Sequence, residues 1–212
     1  AVKVLHRAGV KMHIHTNGDA ASELACDAVA GALLGAGDAD LRHTLEHVQL
    51  ADRAQFERMR KLGLTVNLFG NHLYYFGDAH WEKTVGPDRA ARMNACRDAA
   101  AVWGGNFAIH SDAPVTPMSP LFTAWCAVNR KTESGRVLGD TQQLNVEQAM
   151  YCITMGAAHV LKLDHEIGSI SCGKRADFCV LEEDPLAAAP GALKDLRIAG
   201  TVLGGVHFPL DG

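Results

Sequence analysis

The sequence predicts an α/β fold built from parallel βα units, and three observations carry that expectation. Short alternating or apolar runs are each followed by a helical run, repeatedly, over residues 11–110. Histidines and an aspartate stand where the predicted strands stop. After residue 165 the helical spacing gives way to short strand-like runs separated by turn-rich sequence.

The elements follow in order. Residues 11–17 (KMHIHTN) alternate and stop at Gly18-Asp19, a short strand ending in a turn. Residues 20–34 are rich in Ala and Leu at helical spacing, and Gly35 and Gly37 stop that helix. Residues 42–48 (RHTLEHV) read as the second strand. Asp52 can cap a helix that runs to Leu62 and is closed by Gly63. Residues 64–69 (LTVNLF) give the third strand, and residues 70–86 read as a long loop carrying Asn71, His72, Tyr74, Tyr75, His80 and Trp81. Pro87 opens a helix to about Trp103, since proline fits the first helical turn. Residues 106–110 (NFAIH) form the fourth strand and run into Ser111-Asp112-Ala113-Pro114. Helices are expected over 121–129, 146–155 and near 157–161, then strands over 176–181 and 198–206. This divides the chain into an α/β part, residues 1–165, and a small β element, residues 166–212.

Composition bounds the function. Of the 212 residues, 48% are hydrophobic and 21% charged, with a formal net charge of −4. Such a chain buries a sizeable core, which excludes disorder. No run approaches the ~18 consecutive apolar residues of a membrane span. The mild acidity gives no footprint for nucleic acid or anionic membranes. Six cysteines occur without a C-x-x-C pair, which predicts reduced, mostly buried thiols in a cytoplasmic protein. No G-x-G-x-x-G or Walker A sequence follows any strand, so a doubly wound nucleotide-binding domain is disfavoured.

Eleven histidines are the one compositional oddity. In a βα barrel the active site lies at the C-terminal ends of the strands. His15, His47 and Asp112 would then converge from three strands. Two imidazoles and a carboxylate suit a divalent cation such as zinc. The carboxylate can also accept a proton from an activated water. His13 and His15 share a strand face by their period of two. They could be a first-strand H-x-H metal pair; the reading preferred here makes His15 a ligand and His13 a deeper interior residue. Asp19 is expected to cap the following helix, Glu46 to be an ion-pair partner, and His72 to contact substrate. Tyr74, Tyr75 and Trp81 could wall a pocket or simply pack.

The segments HIHTNGDAA, RHTLEHVQL, IHSDAPVTPMSPL and IGSISCGKRADFCVLEEDP resemble the later part of the metal-dependent amidohydrolase superfamily. More narrowly they are similar to its amidohydrolase-3 group, which includes N-substituted formamide deformylases. The resemblance implies a metal-dependent hydrolase of non-peptide C–N bonds, with one or two ions, His15, His47 and Asp112 as ligands, and Asp112 as the proton carrier. It also implies the C-terminal half of a TIM-type (β/α)8 barrel, strands five to eight, followed by part of a β-sandwich. Counterparts of the family's first-strand H-x-H and fourth-strand ligand are not found. The chain is therefore expected to correspond to the later part of a longer enzyme and to be inactive alone. A small amide-type substrate is the expected partner. An open half-barrel exposes strand edges, so homo-oligomerisation is expected. The competing expectation is a non-catalytic remnant serving in interaction or assembly.

Overall fold

The computed structural model describes residues 1–34 and 40–210. The expected stop signals Gly35 and Gly37 lie outside them. A short helix α1 (Val2–Arg7) precedes β1 (His13–Thr16), α2 (Asp19–Leu33), β2 (Thr44–His47), α3 (Arg53–Lys61) and β3 (Thr65–Phe69). Strand β4 (Ala108–His110) completes a four-stranded parallel sheet in the order β1-β2-β3-β4.

Parallel pairing puts paired residues on one face. His13 is opposite Thr44 and His15 opposite Glu46; Thr44 is in turn opposite Thr65 and Glu46 opposite Asn67. This face is polar. Glu46 accepts from Asn67 Nδ2 at 2.7 Å and pairs with His13 Nδ1 at 2.6 Å. The expected ion-pair role of Glu46 is thus met by a residue of the same polar row. Leu45, Val66 and Ile109 fall on the other face and bury against Cys26, Val29, Phe56 and Met59. Each large apolar side chain so buried contributes about 1.5–3 kcal/mol.

The expected cap forms on α3, where Asp52 accepts from Gln55 N and the Gln55 side chain from Asp52 N. The N-terminal strand ends are tied by polar side chains. His6 Nδ1 lies 2.9 Å from His43 Nε2, Met12 N donates to His43 Nδ1 at 3.1 Å, and Lys11 Nζ donates to Thr44 Oγ1 at 3.1 Å.

Four local expectations are corrected. Residues 70–86 are not a loop: α4 (His72–Ala79) runs directly into a π-helical turn, His80–Thr84. Gly77 permits this packing, because a Cβ there would stand 2.6 Å from Thr132 Cγ2. The single helix expected from Pro87 is two, α5 (Pro87–Arg92) and α6 (Cys96–Trp103). Asn94 breaks it with φ +48°, held by its own Nδ2–H to Phe69 O at 3.0 Å and by the buried Arg130. That guanidinium donates to the carbonyls of Ala91, Met93, Asn94 and Leu138. The strand expected over 198–206 is a hairpin. Asp19 is the first residue of α2, not its cap; it accepts from Ala20 N and pairs with Arg89 at 2.8 Å.

Helices α7 (Pro120–Asn129), α8 (Val146–Ile153) and α9 (Met155–Leu161) follow β4. Strands β5 (Phe178–Leu181), β6 (Ile198–Leu203) and β7 (Val206–Pro209) then make a separate antiparallel sheet. Gly204 and Gly205, at φ +57° and +85°, supply the positive-φ turn between β6 and β7. A 3-10 turn, Pro190–Asp195, ties this tail to α7 through Trp125 Nε1–H to Gly191 O at 2.9 Å. All six cysteines are free; four are buried, and Cys172 and Cys179 are exposed. Among the described residues no helix is long and apolar enough to cross a membrane.

Candidate metal centre

The C-terminal ends of β1, β2 and β4 deliver the chemistry. His15 is exposed near the end of β1, His47 closes β2, His110 closes β4, and Asp112 follows two residues later. His47 and Asp112 both have left-handed backbone, at φ +67° and +54°. A non-glycine residue there costs on the order of 1 kcal/mol or more, and such positions cluster at functional sites. The turn at His47 is held by Val48 N donating to Thr16 O at 2.8 Å. The turn at Asp112 is held by Val115 N donating to Asp112 O at 2.7 Å.

The side chains converge. The His15 and His47 rings meet edge-on with centroids 4.5 Å apart. His47 Nδ1 lies 3.1 Å from His110 Nε2. One ligand atom each from His47, His110 and Asp112 falls within 4.8 Å of the others, a spacing that can hold a metal ion. The sequence predicts His15, His47 and Asp112 as the ligand set; the donor atoms clustered in the structure are those of His47, His110 and Asp112, with the His15 ring against His47. That prediction leaves His110 without a role; the signal available was its period-two spacing from Asp112 across a strand end.

Electrostatics fits cation binding. Burial lowers the pKa of His47, against a raising influence from Asp112. Burial and then His47 push His110 down to about 3. Both rings are therefore neutral at pH 7 and carry the lone pair a ligand needs. The donor set of imidazole nitrogens and a carboxylate oxygen suits zinc and its neighbours.

His72, expected at the substrate, is 6% exposed. It stacks on Phe69 at 4.7 Å, and its Nε2 lies 3.2 Å from His80 Nε2. Burial drives its pKa down to about 3. Phe69 also stacks on His110 at 5.4 Å, so one aromatic ring supports histidines from two segments. Tyr74 and Tyr75 pack on Phe122, and Trp81 lies under Arg136 at 4.9 Å. These aromatics build packed structure around α4, the second of the two alternatives.

Asn71 was passed over as an ordinary loop residue. It is fully buried, donates to Thr116 Oγ1 at 2.8 Å and accepts from Thr123 Oγ1 at 2.8 Å. It thereby stitches the segment after β3 to the one that carries Asp112.

Comparison with known proteins agrees with this arrangement. The chain is 31% identical over 206 residues to an N-substituted formamide deformylase from Arthrobacter pascens, covering 93% of this chain and 36% of that protein. It is 28% identical over 178 residues to the protein LONG AFTER FAR-RED 3 of Arabidopsis thaliana, covering 82% of this chain and 30% of that one. It thus spans about a third of the length of these curated relatives. The crystal structure of a metal-dependent hydrolase from Pyrococcus horikoshii superposes with a TM-score of 0.71 at 25% identity, covering 86% of this chain and 36% of that one. The family model described as "Amidohydrolase family" matches residues 1–207, so the strand-end histidines and aspartate sit in a chain that belongs to the amidohydrolase family.

Proposed function

We propose that the protein is a metal-dependent hydrolase of non-peptide C–N bonds in small amides, formamides or imides. The observation that carries this is the cluster at one rim of the parallel sheet, where His47, His110 and Asp112 offer ligand atoms within 4.8 Å of one another and the His15 ring packs edge-on against His47. The 31% identity to a formamide deformylase supports the bond type. We read the four-stranded parallel sheet as half of a TIM-type barrel, which its consecutive strand order supports. The polar row His13, Glu46 and Asn67 would then face the barrel interior.

A divalent ion, zinc by the donor types, would be held by His15, His47 and Asp112; it supplies an activated water and polarises the carbonyl. Asp112 takes the proton of the attacking water at its carboxylate and returns it to the leaving nitrogen. His15 and His47 stay neutral and act as lone-pair donors. Phe69 keeps the floor beneath His110 apolar.

The outer edges of β1 and β4 carry no strand partner among the described residues. We propose that copies associate through this region, which size-exclusion chromatography tests. The free cysteines support a cytoplasmic location.

The direct test is metal per chain by inductively coupled plasma mass spectrometry. About one or more zinc ions per chain are expected, and His15→Ala/His47→Ala should lose them. A panel of amides and formamides offered to the full-length protein then identifies the substrate. Absence of any divalent metal from both this chain and the full-length protein sinks the proposal and favours the non-catalytic remnant.

A further inference from the structure

His47 and His110 end neighbouring parts of the same rim, with His47 Nδ1 and His110 Nε2 3.1 Å apart. Two neutral imidazoles at that distance share one proton, because each ring has one N–H and one lone pair. Two tautomer pairs satisfy the contact. In the first, His47 Nδ1–H donates to His110 Nε2, and His47 Nε2 keeps its lone pair. In the second, His110 Nε2–H donates to His47 Nδ1, and the His47 proton sits on Nε2. Only the first leaves His47 able to hold a cation through Nε2.

We propose that His110 is a positioning residue: it accepts from His47 Nδ1–H and so presents the His47 Nε2 lone pair to the metal. This rests on the metal-dependent reading given above. Histidine ligands commonly give their second ring N–H to an acceptor that fixes tautomer and orientation. The contact with His110 is the one side-chain hydrogen bond that His47 makes among the described residues.

The geometry of His110 suits the task. Its ring stacks on Phe69 at 5.4 Å with an interplanar angle of 16°, so it cannot swing freely. Phe69 in turn is held by His72 on a second stack at 4.7 Å. Strand β4 fixes the backbone, since Gly70 N donates to His110 O at 3.0 Å. The tautomer invoked places the His110 proton on Nδ1. That atom is buried and makes no hydrogen bond. Coordination through His47 Nε2 requires the first state. In the metal-bound state His110 is thus the acceptor and carries its own proton on Nδ1.

Three proteins test this: the parent, His110→Phe and His110→Gln. Phenylalanine keeps the stack on Phe69 and cannot accept a hydrogen bond. Glutamine loses the ring but can offer its Oε1 to His47 Nδ1–H. Zinc affinity is measured by competition with a chromophoric chelator, with circular dichroism as the control for folding. His110→Phe is expected to weaken zinc by about 10–100-fold, and His110→Gln to recover most of that loss. Nitrogen-15 spectra of histidine-labelled parent should show the His110 proton on Nδ1 once zinc is bound. This readout needs no variant, so it remains decisive if a variant misfolds.

Equal zinc affinity in parent and His110→Phe overturns the proposal while leaving the hydrolase reading intact. So does a zinc-bound His110 that keeps its proton on Nε2. A cobalt-loaded parent whose ligand-field bands change in both variants would make His110 a ligand itself, which also overturns it. A parent that binds no zinc overturns this proposal together with the reading it rests on.

Discussion

Asn71 and Thr123 stand 52 positions apart in the chain, yet their side chains meet in a buried 2.8 Å hydrogen bond. The same amide donates to Thr116 at 2.8 Å. Thr116 Oγ1 in turn donates to Ser111 O, directly beside Asp112. The position of the proposed proton carrier is thus set by a side chain from the segment after β3. Asn71→Ala should cost about 1–3 kcal/mol, because it leaves two buried hydroxyls short of a partner. A urea midpoint unchanged from the parent would contradict this.

Phe69 supports His110 and His72 on stacked contacts. It is buried at the end of β3. Phe69→Ala should destabilise by about 3–5 kcal/mol, and Phe69→Leu by distinctly less. Thermal or denaturant unfolding ranks the two, and equal losses would mean that the stack, not the volume, matters.

Arg130 is fully buried and donates to four backbone carbonyls. Burial lowers its pKa to about 10, so it stays charged at neutral pH. Arg130→Met removes every donor at once and should cost more than about 3 kcal/mol. A variant with parental stability would show that the carbonyls find other partners.

The buried histidines set a pH dependence. Burial pushes His43 to about 4, and His72 and His110 to about 3. In the unfolded chain they titrate near ~6.5. Below that value the unfolded chain binds more protons, so stability falls as pH drops from about 6.5 towards the folded values. It is full above the unfolded pKa. Urea midpoints of the chelator-treated protein at about pH 7.5, 6 and 5 measure the slope. His43→Gln should flatten it, and an unaltered slope would remove His43 from the account.

Asp112→Asn keeps the shape of the side chain and loses its capacity to carry a proton. In the full-length protein, turnover of the best substrate from the panel should fall about 10²–10⁴-fold. Secondary structure by circular dichroism should match the parent. Retained turnover would end the mechanism proposed for this carboxylate.

Much of the sheet was legible because its signals are local. Alternation in KMHIHTN and the Asp52 capping box describe β1 and α3 within a residue or two. The placing of His15 and His47 at strand ends, and of Asp112 just beyond one, was legible because strand ends can be counted. The rest depends on distant partners. The α5–α6 break needs Arg130 and Phe69 O, which lie far from Asn94 in sequence. Helix α4 hides in a segment of mixed His, aromatic and Gly residues, and Gly77 fits there only because Thr132 and Leu138 pack close. The pairing of His110 with His47 joins β4 to β2 across the end of the sheet, so no stretch of sequence displays it.

The tie between His6, His43 and the backbone of Met12 lies at the end of the sheet away from the candidate centre. One polar tie is therefore remote from the chemistry along the strand axis, while Asn71 and Phe69 support the fold at the rim itself. For laboratory evolution this is an advantage. Randomising the segments beyond Thr16, His47, Phe69 and Asp112, with Asn71, Thr116 and Thr123 kept, changes what the rim can recognise while the opposite end retains its own ties. Libraries confined to that rim should contain more folded variants, at equal mutational load, than libraries spread over both ends.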